Sequence, residues 1–172
     1  MLAERHGRAV VWRTAGFNSA TAGLLRDYVV PNPTPEKWSH IVLAVGTNDA
    51  KNFHTAGRFK REFGGLLYAL RAKWPEARIV WSPKVHMRRV PALPPLLGRI
   101  LELRATVINR MGERLCRQRG AFAAERLPIA DPATGFSGDG FHASAAGYRA
   151  WAEHLADFLL EDEPGYACKA VA

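Results

Sequence analysis

The stretch that decides the fold is SHIVLAV at 39–45, followed at once by GTND at 46–49. Seven largely apolar residues without alternation predict a strand that is covered on both faces, as in a parallel sheet. In open α/β sheets the ligand site lies outside the carboxyl ends of the strands. The polar GTND turn is therefore the first place to expect chemistry.

The segments on either side of this strand alternate between strand and helix patterns. Runs of β-branched and aromatic residues predict further strands at Ala9–Thr14, Arg78–Ser82 and Ala121–Ala124. Apolar residues at helical spacing predict helices at Thr21–Tyr28, Ala56–Lys73, Ile100–Arg119 and Ser144–Leu160. Loops are predicted at Val90–Gly98, which is rich in proline, and at Asp131–Phe141, which is rich in glycine. The alternation predicts one three-layer α/β/α domain over residues 1–172, with a frayed tail at 162–172.

Composition excludes several classes of protein. The 172 residues are 48% hydrophobic and 23% charged, as in a globular domain, and no apolar run is long enough to cross a membrane. The net charge of +8 is spread along the chain without interleaved aromatics, so no nucleic-acid partner is expected. Cys116 and Cys168 are predicted to be free thiols. No leader peptide is visible, which predicts a cytoplasmic location by default, with export left open.

A second chemical motif, Asp139-Gly140-Phe141-His142, lies just ahead of the last predicted helix. In a turn, this spacing lets the Asp139 carboxylate fold back onto Nδ1 of His142. The carboxylate would fix the tautomer that leaves Nε2 free to take a proton, and it would stabilise the imidazolium that forms. Taken alone, the same four residues more often form an Asp turn beside a helix-flanking histidine.

Two hydrogen-bond donors complete the candidate set. The side-chain amide of Asn48 could donate to a developing oxyanion at the end of a strand. The N–H of Gly16, which follows the strand predicted at Ala9–Thr14, is open to close approach because glycine has no Cβ. Taken alone, each of these residues is also typical of an ordinary turn.

The order and spacing of these blocks resemble the SGNH, or GDSL-type, hydrolase family. That family carries a GDS serine, a glycine, a G-x-N-D asparagine and a D-x-x-H pair, and the last three match TAGFN at 14–18, GTND at 46–49 and DGFH at 139–142. The resemblance runs from about Ala9 to Leu160. It implies a flavodoxin-like parallel sheet and an ester hydrolase in which His142 is the general base and Asp139 orients it. Gly16 and Asn48 would form the oxyanion hole.

The first block of the family pattern is absent from the chain. No GDS occurs, and Met1–His6 resembles the last turn of a helix, as though the first strand, the GDS turn and most of the first helix preceded it. Ser137 lies awkwardly close to Asp139, and the other candidate serines suit turns or caps: Ser19, Ser82 and Ser144. Loss of a triad serine lowers turnover by about 10⁶. We therefore expect this chain to be nearly inactive and a longer natural chain to carry the serine.

For the complete protein the resemblance implies hydrolysis of a small-molecule ester: an acyl lipid, an acylated glycan or a thioester. No metal or organic cofactor is expected, since the histidines other than His142 lack metal-ligand spacing. Two further hypotheses stay open. The first is a non-catalytic module of the same fold that binds acyl or glycan ligands. The second is an unrelated flavodoxin-like domain in which Gly16, Asn48 and His142 do not converge.

Overall fold

The computed structural model of the chain describes residues 2–7, 9–32, 37–128 and 134–160. Its helices are α1 (Leu2–His6), α2 (Ala22–Leu24), α3 (Thr47–Lys51), α4 (Ala56–Lys73), α5 (Pro95–Gln118) and α6 (Ala145–Leu160). Its strands are β1 (His40–Leu43), β2 (Arg78–Trp81) and β3 (Phe122–Ala123). A π-helical turn, Leu25–Val29, continues α2, and a 3₁₀ turn, Met87–Arg89, precedes α5.

The three strands form a parallel sheet in the order β1-β2-β3. β1 pairs with β2 along its whole length, from His40 opposite Arg78 to Leu43 opposite Trp81. The pairing of β2 with β3 involves only the last two residues of β2. Helices carry the chain back between successive strands, which is the connection that parallel strands need. The parallel sheet predicted from the SHIVLAV stretch is confirmed.

Helices cover both faces of β2 because its side chains alternate between them. Ile79 and Trp81 join the main core, in which the Trp81 ring lies 5.1 Å from the ring of Phe63 on α4. Val80 points to the other face and packs with Leu155 on α6. The protein therefore has the predicted three-layer α/β/α arrangement.

Most of the predicted helices are confirmed, and α4 has the predicted bounds. Thr21 caps α2, since its Oγ1 accepts the N–H of Leu24 at 3.4 Å. Ser144 caps α6 in the same way, with the N–H of Gly147 at 3.0 Å. Side-chain oxygens of this kind satisfy N–H groups that the first helical turn leaves without partners.

Two details of the helix predictions are wrong. Helix α5 begins at Pro95, inside the predicted proline-rich loop, because a proline at the first helical position lacks only an N–H that the helix does not use. The apolar spacing of Ser144–Leu160 predicts that Tyr148 faces the core, but Tyr148 is exposed. Its ring stacks on that of Trp151, with the ring centres 6.2 Å apart.

The prediction of a strand at Ala9–Thr14 is also wrong. The segment belongs to no strand, and Val11 and Trp12 are largely exposed. Between this segment and β1 lies a cavity of about 1120 Å³. Because a strand forms only beside a hydrogen-bonding neighbour, the β-favouring side chains of this segment cannot make one alone. Val42 is also exposed, so β1 is not covered on both faces as predicted.

Some predictions fall on residues that the structure does not describe: the tail at 162–172, Cys168 and the start of the loop at 131–141. Cys116 is buried and free, and burial raises the pKa of its thiol to about 12. Within the described ranges, no helix combines the length and apolar character needed to cross a membrane.

Candidate active site

Asp139 and His142 contact each other in the loop that leads into α6. Nδ1 of His142 lies 2.5 Å from one oxygen of Asp139, and the other oxygen accepts the N–H groups of Phe141 and His142, both at 2.9 Å. The Asp turn and the imidazole contact therefore occur together, on the two oxygens of one carboxylate. The hydrogen bond with the His142 side chain, followed by those from Ser137 and the backbone, holds the pKa of Asp139 well below its usual range.

The other ring nitrogen of His142 is open. The side chain is 69% exposed, and within the described part of the chain Nε2 makes no hydrogen bond. A carboxylate at Nδ1 favours the neutral tautomer with its proton on that nitrogen, which leaves Nε2 as the acceptor. This is the arrangement that a general base requires.

The serines singled out from the sequence do not approach this open nitrogen in the described ranges. The hydroxyl of Ser137 donates to the turn-forming oxygen of Asp139 at 2.7 Å. Ser82 is buried and accepts the indole N–H of Trp151 at 2.8 Å. The remaining two lie in an exposed turn and at the cap of α6: Ser19 and Ser144.

Asn48 lies in the first turn of α3, shortly after Gly46, whose φ of 111° is the left-handed region that favours glycine. Its amide nitrogen donates to the carbonyl oxygen of Ala20 at 2.9 Å. Since an amide nitrogen carries two hydrogens, one N–H is fixed by Ala20 and the second stays available for another acceptor. The bond also connects the turn after β1 to the segment that precedes α2.

Gly16 lies in that preceding segment, in extended and exposed chain. A Cβ built on Gly16 would meet no atom within 4 Å. The described residues therefore give no steric reason for a glycine at position 16. Gly16 and Asn48 both line the cavity of about 1120 Å³ that separates this segment from β1.

The predicted site residues thus come together as two pairs. Gly16 and Asn48 share a cavity, Asp139 contacts His142, and neither member of the second pair is among the described residues that line that cavity. The loop of the second pair packs on the segment that follows β2, where the Ala92 N–H donates to the Gly140 oxygen at 3.0 Å. Asn48 follows β1 and lies beyond the carboxyl end of that strand, where sites of parallel sheets form.

A buried charged cluster beneath the GTND turn was not predicted from the sequence. Asp49 is fully buried, with one oxygen accepting the N–H of Ala22 at 3.2 Å and the other 3.3 Å from Nδ1 of His54. Burial raises the pKa of Asp49, and the Ala22 hydrogen bond and His54 oppose that rise. One oxygen of Glu62 lies 3.6 Å from the same His54 nitrogen, and its other oxygen accepts from Arg58 at 2.7 Å.

Lys84 reaches the same turn from the segment that follows β2. Its side chain is buried, and its Nζ lies 5.5 Å from the centre of the Trp81 ring. A Cβ on Gly46 would lie 2.6 Å from Cε of Lys84, so the absence of a side chain at Gly46 makes room for the lysine. Burial lowers the pKa of Lys84 to about 7, and the negative charge of Asp49 acts in the opposite direction.

Three residues of this cluster could hold a metal ion, because Asp49, His54 and Glu62 place possible ligand atoms within 4.8 Å of one another. Arg58 already supplies positive charge to Glu62, and Lys84 supplies it to Asp49, so we assign no metal there. The signals for the cluster were faint in the sequence. They were an aspartate closing the GTND turn and a lysine just after a buried strand.

Comparison with known proteins concerns the family and the fold of the chain. A sequence model of the GDSL-like lipase/acylhydrolase family matches residues 1–150. No protein with curated annotation gives a significant match. A solved structure from Streptococcus pneumonia, described as a candidate platelet activating factor, is similar with a TM-score of 0.69 and 18% sequence identity. The match covers 92% of this chain and 77% of that chain, and at this identity it supports the fold alone.

Proposed function

The chain belongs to the GDSL-like lipase/acylhydrolase family, and from that premise we propose that it carries the acid–base and oxyanion parts of a serine ester hydrolase. His142 acts as the general base and then as the general acid, and Asp139 orients its ring. The N–H of Gly16 and the amide of Asn48 hold the oxyanion. The observation that carries the proposal is the contact of Asp139 with Nδ1 of His142, which leaves Nε2 open.

The proposed reaction is a two-step acyl transfer. A serine hydroxyl attacks the ester carbonyl while Nε2 of His142 takes its proton, and the new oxyanion is held by Gly16 and Asn48. Collapse of this intermediate breaks the ester C–O bond, and His142 returns the proton to the departing alcohol. Water then attacks the acyl-serine by the same route in reverse, which releases the acid and restores the serine.

The serine is proposed to lie outside the 172 residues, on a strand that completes the sheet. Two observations support this proposal. The candidate serines among the described residues have partners or positions away from Nε2 of His142. The outer edge of β1 has no strand beside it in the described part of the chain, and it faces the cavity across from residues 9–17. A parallel strand inserted there would end beside the GTND turn.

The experiment is a hydrolysis assay with a short-chain p-nitrophenyl ester. We expect little serine-dependent turnover from the 172 residues alone, because removal of a triad serine lowers turnover by about 10⁶. A protein extended by the preceding in-frame coding sequence should be active, and His142→Ala should abolish that activity. Full activity in His142→Ala would show that the general base is misassigned. An extended protein without a serine that still binds acyl or glycan ligands would favour a non-catalytic binding module.

A further inference from the structure

We propose that Arg104 is a positioning residue for Asn48, because it ties the turn that carries Asn48 to the helix on which the loop of His142 also packs. Within the described ranges, no hydrogen bond or ion pair joins Asn48 to His142, so the two need a common support. The importance of both residues rests on the proposed function. The tie made by Arg104 is a contact of this chain that can be measured without catalysis.

Arg104 lies on α5, and its guanidinium binds the chain just after the GTND turn. Nε donates to the carbonyl oxygen of Ala50 at 3.0 Å, and Nη2 donates to the carbonyl oxygen of His54 at 2.7 Å. The guanidinium also lies over the ring of Phe53, 4.7 Å from the ring centre. In the described part of the chain no carboxylate pairs with this guanidinium. Its planar, two-donor geometry therefore holds both ends of the loop at 50–54, which a lysine ammonium cannot reproduce.

The loop that Arg104 holds has an unfavourable backbone conformation. Phe53 has a φ of 55°, in the left-handed region that a bulky residue rarely adopts. Such a conformation persists only where the surrounding structure enforces it. The ring of Phe53 is exposed, so its burial does not supply that constraint. The contacts that flank Phe53 supply it instead, and the two hydrogen bonds from Arg104 are among them.

The position of this loop is passed to Asn48 through the short helix α3. The carbonyl oxygen of Asn48 accepts the N–H of Asn52 at 2.8 Å, and that of Asp49 accepts the N–H of His54 at 3.0 Å. These bonds join the GTND turn to the loop that the guanidinium holds. A displacement of the loop would therefore displace the side-chain amide of Asn48 as well.

The same part of α5 supports the loop of His142. Leu101 and Ala105 are buried in a cluster against which Phe141, the residue before His142, also packs. Arg104 is the neighbour of Ala105 in the helix, and its side chain reaches the end of α3 instead. One stretch of α5 therefore contacts both halves of the proposed site.

The first test is an NMR comparison of variants in the 172-residue chain. In Arg104→Met, the side-chain amide signals of Asn48 should shift. The His54 amide should exchange its hydrogen about tenfold faster or more, because the loop opens more readily. Arg104→Lys should give an intermediate effect, since an ammonium cannot bridge both carbonyls. Arg110→Met, at an exposed arginine of α5, is the matched control and should change neither signal.

The second test is a double-mutant cycle in the upstream-extended protein. Arg104→Met should lower kcat by about tenfold or more with little change in KM, because a misplaced oxyanion donor stabilises the transition state less. In an Asn48→Ala background, the same change should lower kcat by less than about twofold, because the group that Arg104 positions is already gone. A merely structural role of Arg104 predicts equal losses in the two backgrounds.

The proposal is overturned if a folded Arg104→Met chain keeps the wild-type Asn48 signals and His54 exchange. Equal kcat losses with and without the Asn48 amide overturn it as well. If Arg104→Met does not fold, Arg104→Lys takes its place in both tests. In the wild-type chain, the Nε–H of Arg104 should be protected from exchange with water, and an unprotected Nε–H overturns the proposal without any variant.

The two kinds of failure can be told apart. If Asn48→Ala keeps full activity, the proposed function is wrong at that residue, while the NMR comparison still decides whether Arg104 holds the turn. If the NMR signals do not respond to Arg104→Met, the tie is wrong, and the roles proposed for Asn48 and His142 still stand.

Discussion

The amide nitrogen of Asn48 lies 2.9 Å from the carbonyl oxygen of Ala20, and this bond ties the turn after β1 to the segment that carries Gly16. The bond thereby connects Asn48 to a residue four positions after Gly16, the other proposed oxyanion donor. One amide hydrogen makes the link, and the other is free to meet an oxyanion. The direction of the Asn48 amide is thus fixed before any substrate enters.

Asn48→Ala tests this role. In the upstream-extended protein, we expect kcat to fall by about 10²–10³ with a small change in KM, because an oxyanion donor acts mainly in the transition state. Loss of the Ala20 bond should lower the free energy of unfolding by about 1 kcal/mol. Asn52→Ala, at the exposed end of α3, is the control and should keep both values. Equal kcat in the two variants would remove Asn48 from the mechanism.

Gly16→Ala separates chemistry from folding. A Cβ at Gly16 meets no atom within 4 Å, so the free energy of unfolding should stay within about 0.5 kcal/mol of the wild-type value. If an oxyanion approaches the Gly16 N–H, the added methyl group should hinder it and lower kcat by about tenfold or more. Urea unfolding and ester kinetics on the same samples make the comparison. If both Gly16→Ala and Gly16→Val keep the wild-type kcat, the Gly16 N–H does not hold the oxyanion.

The burial of Lys84 predicts a pH dependence of stability. Its pKa falls from an ordinary 10.5 to about 7 in the folded chain, so between these values the unfolded chain holds a proton that the folded chain has lost. Stability must then rise with pH above about 7, by up to about 1.4 kcal/mol per pH unit. Well below pH 7 the folded and unfolded chains both hold the Lys84 proton, so this residue adds no further slope. Urea unfolding from pH 7 to 9.5 should show this slope in the wild type and not in Lys84→Met.

Gly112→Ala tests the packing of the central layer. A Cβ on Gly112 of α5 would lie 2.2 Å from the ring of Trp81, which is buried and fixed by a hydrogen bond to the oxygen of Val45. We expect a loss of roughly 1–3 kcal/mol or more from this overpacking. Gly57→Ala in α4 meets no atom within 4 Å and should instead gain about 0.5–1 kcal/mol from helix propensity. If both variants change the free energy of unfolding equally, a side chain at Gly112 does not collide with Trp81.

The parts of the fold that local sequence determines were predicted well. Helix α4 was predicted with its bounds because the apolar residues that make its buried face recur within the segment itself. The core of β1 was predicted for the same reason. The segment Ala9–Thr14 has an equally clear β pattern but forms no strand, since a strand also needs a neighbour that the pattern does not contain.

The same distinction between local sequence and packing applies to the candidate site. The contact of Asp139 with His142 was predictable because three residues in a turn bring the two side chains together. The burial of Asp49 and of Lys84 was not predictable, because burial of a charge depends on which helices and loops close over it. Lys84 reads in the sequence as a solvated lysine, and only the packing of Gly46 and Trp81 places it beneath the turn.

The most direct test of the central claim is labelling of the upstream-extended protein with a serine-reactive fluorophosphonate, followed by peptide mapping. The account predicts one labelled serine that lies ahead of Met1, and loss of that label in His142→Ala. Label on Ser137, or label that does not depend on His142, would contradict it.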